Sequence, residues 1–212
     1  MKLSQAAPFS QPLDEEMRTP ISVYALALAT LLAGFAIGLF ITDLTVGRLY
    51  LFGAARSGAW IAWPKTGALD PDPYARATMT RDGIAPLGNG EGLFFLAQTD
   101  DAGRALSGNC DYMLTGDTPA ARFWTLTVYG PGGRLVADAA GPTHLLSSAV
   151  LRNEKGQASI TVARSARAGN WLAAPREGSF ALALTLYDAS ASATPSAIAN
   201  LGMPKITRGD CQ

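Results

Sequence analysis

Histidine is nearly missing from this chain of 212 residues: His144 is the only one, and cysteine occurs twice, as Cys110 and Cys211. A zinc site takes several nitrogen or sulfur ligands, so these three residues offer no ligand set. A Ser-His-Asp triad needs its imidazole facing a nucleophile. Ser147 and Ser148 are near His144, but no Gly-x-Ser-x-Gly turn surrounds either. The residues 88–90, Gly-Asn-Gly, lack the strand-loop-helix setting of a phosphate-binding loop and read as a turn. No catalytic residue, no metal and no cofactor is therefore expected. Net charge is missing too, since Lys+Arg and Asp+Glu both number 17. Without a basic excess, nucleic acid is not an expected partner. Charged residues make up 16% of the chain, well under the usual figure of about 25%.

What is present in excess is one apolar run. Residues 20–41, PISVYALALATLLAGFAIGLFI, carry no charge and nothing more polar than Ser22, Tyr24 and Thr30. As a helix the run spans roughly 33 Å, enough to cross a hydrocarbon core of about 30 Å. It is longer than the hydrophobic region of a cleaved signal peptide, begins after an acidic leader, and has no clear small-x-small site behind it. The expectation is an uncleaved signal anchor at 20–42, seated in the lipid bilayer, behind a cytoplasmic leader at 1–19. Gly34 and Gly38 make a small-xxx-small pair in the run, although glycine is common in membrane helices. Residues 43–71 read as a juxtamembrane segment and linker. A second crossing there would bury Arg48 and Arg56. Trp60 and Trp63 suit either the headgroup level or the interior of the following domain.

Flanking charge does not orient the anchor. Lys2 and Arg18 stand before it, Arg48 and Arg56 after it, nearly a tie under the positive-inside rule. The cysteines serve better. Both follow the run, and their spacing matches no metal or redox motif. Paired, they would require an oxidising compartment such as the periplasm; two unpaired buried thiols are the alternative. The pairing carries the expected topology of a bacterial inner-membrane protein, N-terminus cytoplasmic and C-terminal domain periplasmic.

Residues 72–212 read as one β-rich domain. Asp72-Pro73 starts a short helix, with aspartate as cap and proline in the first turn. Short apolar runs bounded by turn residues follow at 92–97, 109–114, 123–129, 134–137, 145–151, 158–163 and 180–187. In 123–129 the pattern is clearest: Trp124, Leu126 and Val128 share one face, Phe123, Thr125, Thr127 and Tyr129 the other. The runs at 145–151 and 158–163, with a turn at 153–156, suggest a hairpin; Asn170 and Trp171 fall in a loop. Regular short strands with turns predict an antiparallel β-sandwich. Residues 201–206 then lead back towards Cys110.

Two kinds of chemistry fit such a domain. Paired carboxylates would serve a carbohydrate-active envelope enzyme, with Asp70, Asp72, Glu91, Asp100, Asp101, Asp111 and Asp117 as candidates. Most of them adjoin Gly or Pro, where aspartate serves turns. Aromatic side chains would instead hold an envelope protein or glycan, with Trp171, Asn170 and Tyr129 as the candidate binding residues. The second, non-enzymatic binding or scaffolding, is the leading expectation.

The residues 124–129 (WTLTVY), Asn170-Trp171-Leu172 with a nearby proline, and 184–188 (LTLYD) resemble domain of unknown function 1214. The segment 72–77 (DPYARA), the anchor and the two cysteines are similar to a short, membrane-anchored, mainly alphaproteobacterial subgroup. The resemblance covers most of the chain from about residue 20. It implies a sandwich of jelly-roll type and no established activity. Where relatives carry arginine, this chain has Thr185, and near Ser147 it has Pro142-Thr143-His144. The proline that usually follows Asn-Trp-Leu is displaced to Pro175. If those arginines hold an acidic ligand in relatives, the resemblance implies an altered or lost site here.

Overall fold

The computed structural model describes residues 21–47, 53–82, 86–136, 139–189 and 194–211, divided between two units, Met1–Leu49 and Tyr50–Gln212. In the first unit a single helix, α1 (Ile21–Gly47), contains the apolar run. Its 27 residues would extend about 40 Å. The stretch Val23–Leu44, of mean hydropathy 2.2, is long and apolar enough to cross a membrane, and none of it is buried against protein. Two of its hydroxyls bond within the helix, which spares it an unpaired polar group in an apolar setting. Thr30 Oγ1 donates to the Ala27 carbonyl at 2.9 Å and Thr42 Oγ1 to that of Gly38 at 2.8 Å.

The second unit holds β1 (Ala55–Ser57), β2 (Trp60–Ala62), a 3-10 turn at Pro64–Gly67, α2 (Pro73–Asp82), β3 (Gly92–Ala97), β4 (Cys110–Gly116) and β5 (Ala121–Tyr129). There follow β6 (His144–Leu146), β7 (Ala158–Ala163), β8 (Asn170–Ala173), β9 (Ala181–Ala189), α3 (Pro195–Ala199) and β10 (Lys205–Cys211). Six strands form one sheet in the order β1-β2-β3-β9-β5-β6; four form another in the order β10-β4-β7-β8. Every pair is antiparallel except β7–β8. The protein is mainly β, with two sheets, an apolar N-terminal helix and a short helix before most of the strands, as the sequence predicts.

Alternation decides which side chains are inside. Leu93 and Phe95 of β3, Leu182, Leu184 and Leu186 of β9, and Trp124, Leu126 and Val128 of β5 are buried, as are Tyr112, Leu114, Ile160, Val162, Leu172 and Ile206 of the smaller sheet. They make one core. A residual cavity of about 20 Å³, lined by Trp124, Leu126 and Leu184 from one sheet and by Leu114 and Ile160 from the other, marks where the sheets face each other. Full burial of each large aliphatic side chain stabilises by about 1.5–3 kcal/mol.

Local signals set several ends. Asp72 caps α2, its Oδ1 accepting from the Ala75 N–H at 3.0 Å. Thr194 caps α3 in the same way, accepting from the Ala197 N–H at 3.3 Å. Two sheet edges are closed by loops, which blunts an open ladder. Asp101 Oδ2 accepts from the Ile206 N–H at 2.8 Å and the Asp101 N–H donates to Ile206 O at 3.0 Å, so this turn acts as a neighbour for β10. On the far side of that sheet, the Ala173 N–H of β8 donates to Pro142 O at 2.7 Å. Cys110 and Cys211 are register partners in β4 and β10 and form a disulfide.

Four readings differ from the structure. The stretches 145–151 and 158–163 are no hairpin: β6 joins the larger sheet and β7 the smaller, because the chain turns at once after Leu146, where the Ala149 N–H donates to the Leu146 carbonyl. Of the strand expected at 134–137, only Leu135 bridges to Tyr129 among the described residues, after a 3-10 turn at Pro131–Gly133; Ala137 lies outside them. Asn170 and Trp171 open β8 instead of lying in a loop. Last, the stretch read as juxtamembrane segment and linker contributes β1 and β2 to the larger sheet, where Trp60 is wholly buried and Trp63 half-buried.

Candidate functional site

The outward face of the larger sheet can be assembled from its register. Facing away from the core, Gly92, Tyr187 and Phe123 form one row across β3, β9 and β5. The next row runs Phe94, Thr185, Thr125, Leu146, ending on β6. A third runs Ile61, Leu96, Ala183, Thr127, His144, and Ala181 beside Tyr129 makes a fourth. From β2 to β6 these rows contain no Asp, Glu, Lys or Arg; the third row continues onto the edge strand β1 as Arg56, the register partner of Ile61. Phe94 is 41% exposed and Leu146 38%. The Phe123 and Tyr187 rings meet at 5.8 Å, a tilted pair. Such a pair contributes about 0.5–1.5 kcal/mol beyond its buried area.

Gly92 is required where it stands. A β-carbon there would collide with the Leu186 carbonyl and the backbone at Tyr187. Gly92→Ala is expected to cost about 1–3 kcal/mol, the range for forced overpacking, since backbone cannot step aside as a side-chain tip can. Urea denaturation checks it; an unchanged midpoint would mean that β3 shifts freely against β9.

The three candidate binding residues do not converge. Tyr129 lies half-buried at the end of β5 on the face just described, whereas Asn170 and Trp171 open the edge strand of the smaller sheet. Asn170 is buried and bonded within the chain: its Oδ1 accepts from the Leu151 N–H at 2.7 Å, and its Nδ2 donates to Leu151 O at 2.8 Å and Ser159 O at 3.0 Å. Trp171 is half-buried, donates from Nε1 to the Ala163 carbonyl at 3.0 Å, and lies so close over Gly141 that a β-carbon there would strike its ring.

The candidate carboxylates divide similarly. Asp70 and Asp72 share an open cleft of about 910 Å³ with Lys65, Arg76 and Thr80. Both have structural work there: Asp72 caps α2, and Asp70 pairs with Arg76 at 3.2 Å. Asp111 pairs with Arg167. Glu91 Oε2 accepts from the Gly88 N–H at 3.1 Å. Asp117 is exposed. Among the described residues no group of three or more His, Cys, Asp or Glu is placed to hold a metal.

Asp100 is the buried carboxylate, 1% exposed. Its Oδ1 accepts from the Ala102 and Arg104 N–H groups at 3.0 and 2.9 Å, and its Oδ2 from Arg104 Nε at 2.9 Å. Arg208 of β10 approaches the same oxygen with Nε at 3.2 Å, an ion pair without hydrogen-bond alignment, and lies over the Tyr112 ring. Burial pushes the Asp100 carboxyl up, but the Arg104 backbone and side-chain hydrogen bonds and the charges of Arg104 and Arg208 outweigh it, leaving it below the usual value. Its contribution to stability is therefore complete above the unfolded-state pKa near 3.9 and is lost as pH falls through the lower folded value. Denaturation curves between pH 5 and 2 should show stability falling with pH, and Asp100→Asn should flatten that slope. An identical slope in the variant would remove Asp100 from the acid response.

Residues 91–191 match the family described as protein of unknown function (DUF1214). The matched residues take in β3 to β9, hence the uncharged rows except β2, and end before β10, which carries Cys211. No curated protein matches the chain. Among solved structures, the VPA0106 protein from Vibrio parahaemolyticus is similar with a TM-score of 0.54 at 24% identity, over 66% of this chain and 36% of that one. An uncharacterized protein from Burkholderia cenocepacia aligns at 18% identity and a TM-score of 0.40, over 84% of this chain and 42% of its own. The chain thus spans less than half the length of either. The Vibrio likeness is one of fold.

Proposed function

We propose that this is a single-pass protein of the bacterial inner membrane, with residues 1–19 cytoplasmic, residues 20–42 in the bilayer and a jelly-roll-type sandwich in the periplasm. On this reading the domain is a non-enzymatic binding or scaffolding module for another envelope component, protein or glycan. The observation that carries it is the uncharged outer face of the larger sheet, with Phe94, Phe123, Tyr187 and Leu146 on it. A surface of that kind on a water-soluble domain marks an interaction site, and depletion of charge with enrichment of aromatics is the composition of interface centres. The disulfide supports the compartment, because such bonds persist outside the reducing cytosol. A carbohydrate-active enzyme is the second reading, favoured only by the cleft that Asp70 and Asp72 share.

Photo-crosslinking in cells tests the binding reading. Full-length protein with a photoreactive residue in place of Phe94 should give adducts with an envelope component, and Thr185→Lys should abolish them. Adducts that survive Thr185→Lys would count against the face. Protease added to spheroplasts should digest the β-domain; an intact domain reverses the topology.

A further inference from the structure

We infer that the component covering this face is a second copy of the same chain, joined sheet to sheet about a two-fold axis. The inference rests on reading the face as a binding surface and names its occupant. A two-fold interface sets each residue near the axis against its own copy. A charge there would meet the same charge, so a self-pairing face must be neutral at its centre. This one is: Thr185, Thr125, Ala183 and Thr127 occupy the middle, all small or β-branched.

The second row adds a pattern. Across the strands it reads Phe94, Thr185, Thr125, Leu146: apolar, threonine, threonine, apolar. A two-fold axis parallel to the strands and midway between the copies exchanges its two ends. Phe94 of one copy then lies over Leu146 of the other, twice, with the threonines between. The two exposed apolar groups of the row would be covered by each other. The four rows hold 14 residues, and with strands about 4.8 Å apart and rows about 6.8 Å apart they cover roughly 450 Å² in projection. Side-chain relief makes the accessible area larger, towards the roughly 600 Å² per partner at the small end of specific interfaces, where about 800 Å² is standard. Two twisted sheets packed this way lie about 10 Å apart, as in a sandwich core.

The test uses full-length protein in detergent micelles and in native membranes. Sedimentation equilibrium should give twice the protein mass for the wild type and a single chain for Thr125→Lys/Thr185→Lys, which brings four ammonium groups together at the axis. If that variant does not fold, judged by loss of its thermal transition, Leu146→Glu on the edge strand gives the same readout. In membranes, a short bismaleimide should join co-expressed Phe94→Cys and Leu146→Cys chains at twice the chain mass. Neither variant alone should give that product. A monomeric wild type overturns the inference, as does a dimer that survives the lysines. A monomer whose Phe94 photo-adducts still vanish with Thr185→Lys overturns the second copy but leaves the binding module standing. A monomer with no adducts ends both.

Discussion

Full-length protein with Cys110→Ala and Cys211→Ala should unfold with about 4–5 kcal/mol less stability than the wild type. The bond joins residues 101 apart. In the chain-entropy model a loop of about that length restrains the unfolded chain by roughly this amount, although the partition between entropy and enthalpy depends on the model used. The native side should change little. Lys205 to Arg208 keep their register with β4, Ile206 stays wholly buried, and its backbone N–H and C=O stay bonded to Asp101. Two readouts follow. The transition should move down by roughly 10–15 °C for a domain of this size. The denaturant m-value should rise, because the uncrosslinked unfolded chain exposes more surface. A loss below about 1 kcal/mol with unchanged m would mean that the bond does not close this loop in the protein as made in the cell. Non-reducing peptide mapping of the wild type settles that case directly, since free thiols at both positions would also remove the main support for an oxidising compartment.

The strands were legible where two-residue alternation coincided with turn chemistry. Residues 92–97 were delimited to the residue, and 123–129 fell inside β5 with its buried face correctly divided from its open one. The helix cap at Asp72 was equally plain. What alternation cannot tell is which strands become neighbours. Phe94, Tyr187 and Phe123 are far apart in the chain and share a surface only because β9 lies between β3 and β5. The β7–β8 pairing was hidden for a related reason. Parallel neighbours usually need a crossover of a dozen or more residues. Here six residues, 164–169, suffice because β8 has only four residues and the chain travels back about 10 Å to start it. Asn170 and Trp171 read as a loop from sequence, yet they open an edge strand. The Asn170 amide is consumed in tying Leu151 and Ser159 to the edge strand.

Trp60 carries the second large effect, and its sequence context left two places open for it. Trp60→Ala should cost about 3–5 kcal/mol, the range for deleting a buried aromatic side chain. The ring is wholly buried under the larger sheet, and its Nε1 donates to the Pro204 carbonyl at 2.7 Å across a separation of 144 residues. Trp60→Phe divides the effect: most of the packing stays, while the Pro204 carbonyl loses its donor, at about 1–3 kcal/mol. Urea denaturation of both variants decides the matter. If Trp60→Ala leaves stability within about 0.5 kcal/mol, the residue is not core, and a headgroup position regains its case. The consequence reaches beyond one side chain. Ser57 Oγ also donates to the Leu201 carbonyl, at 2.7 Å. Through these two bonds β1 and β2 hold the stretch that leads into β10, and β10 is held in turn to β4 by Cys110 and Cys211. The first strands after the apolar helix and the last strand of the chain are therefore parts of one packed structure. Loosening Trp60 should accordingly raise hydrogen exchange in β10 as well as in β2, whereas a linker tryptophan would leave β10 protected.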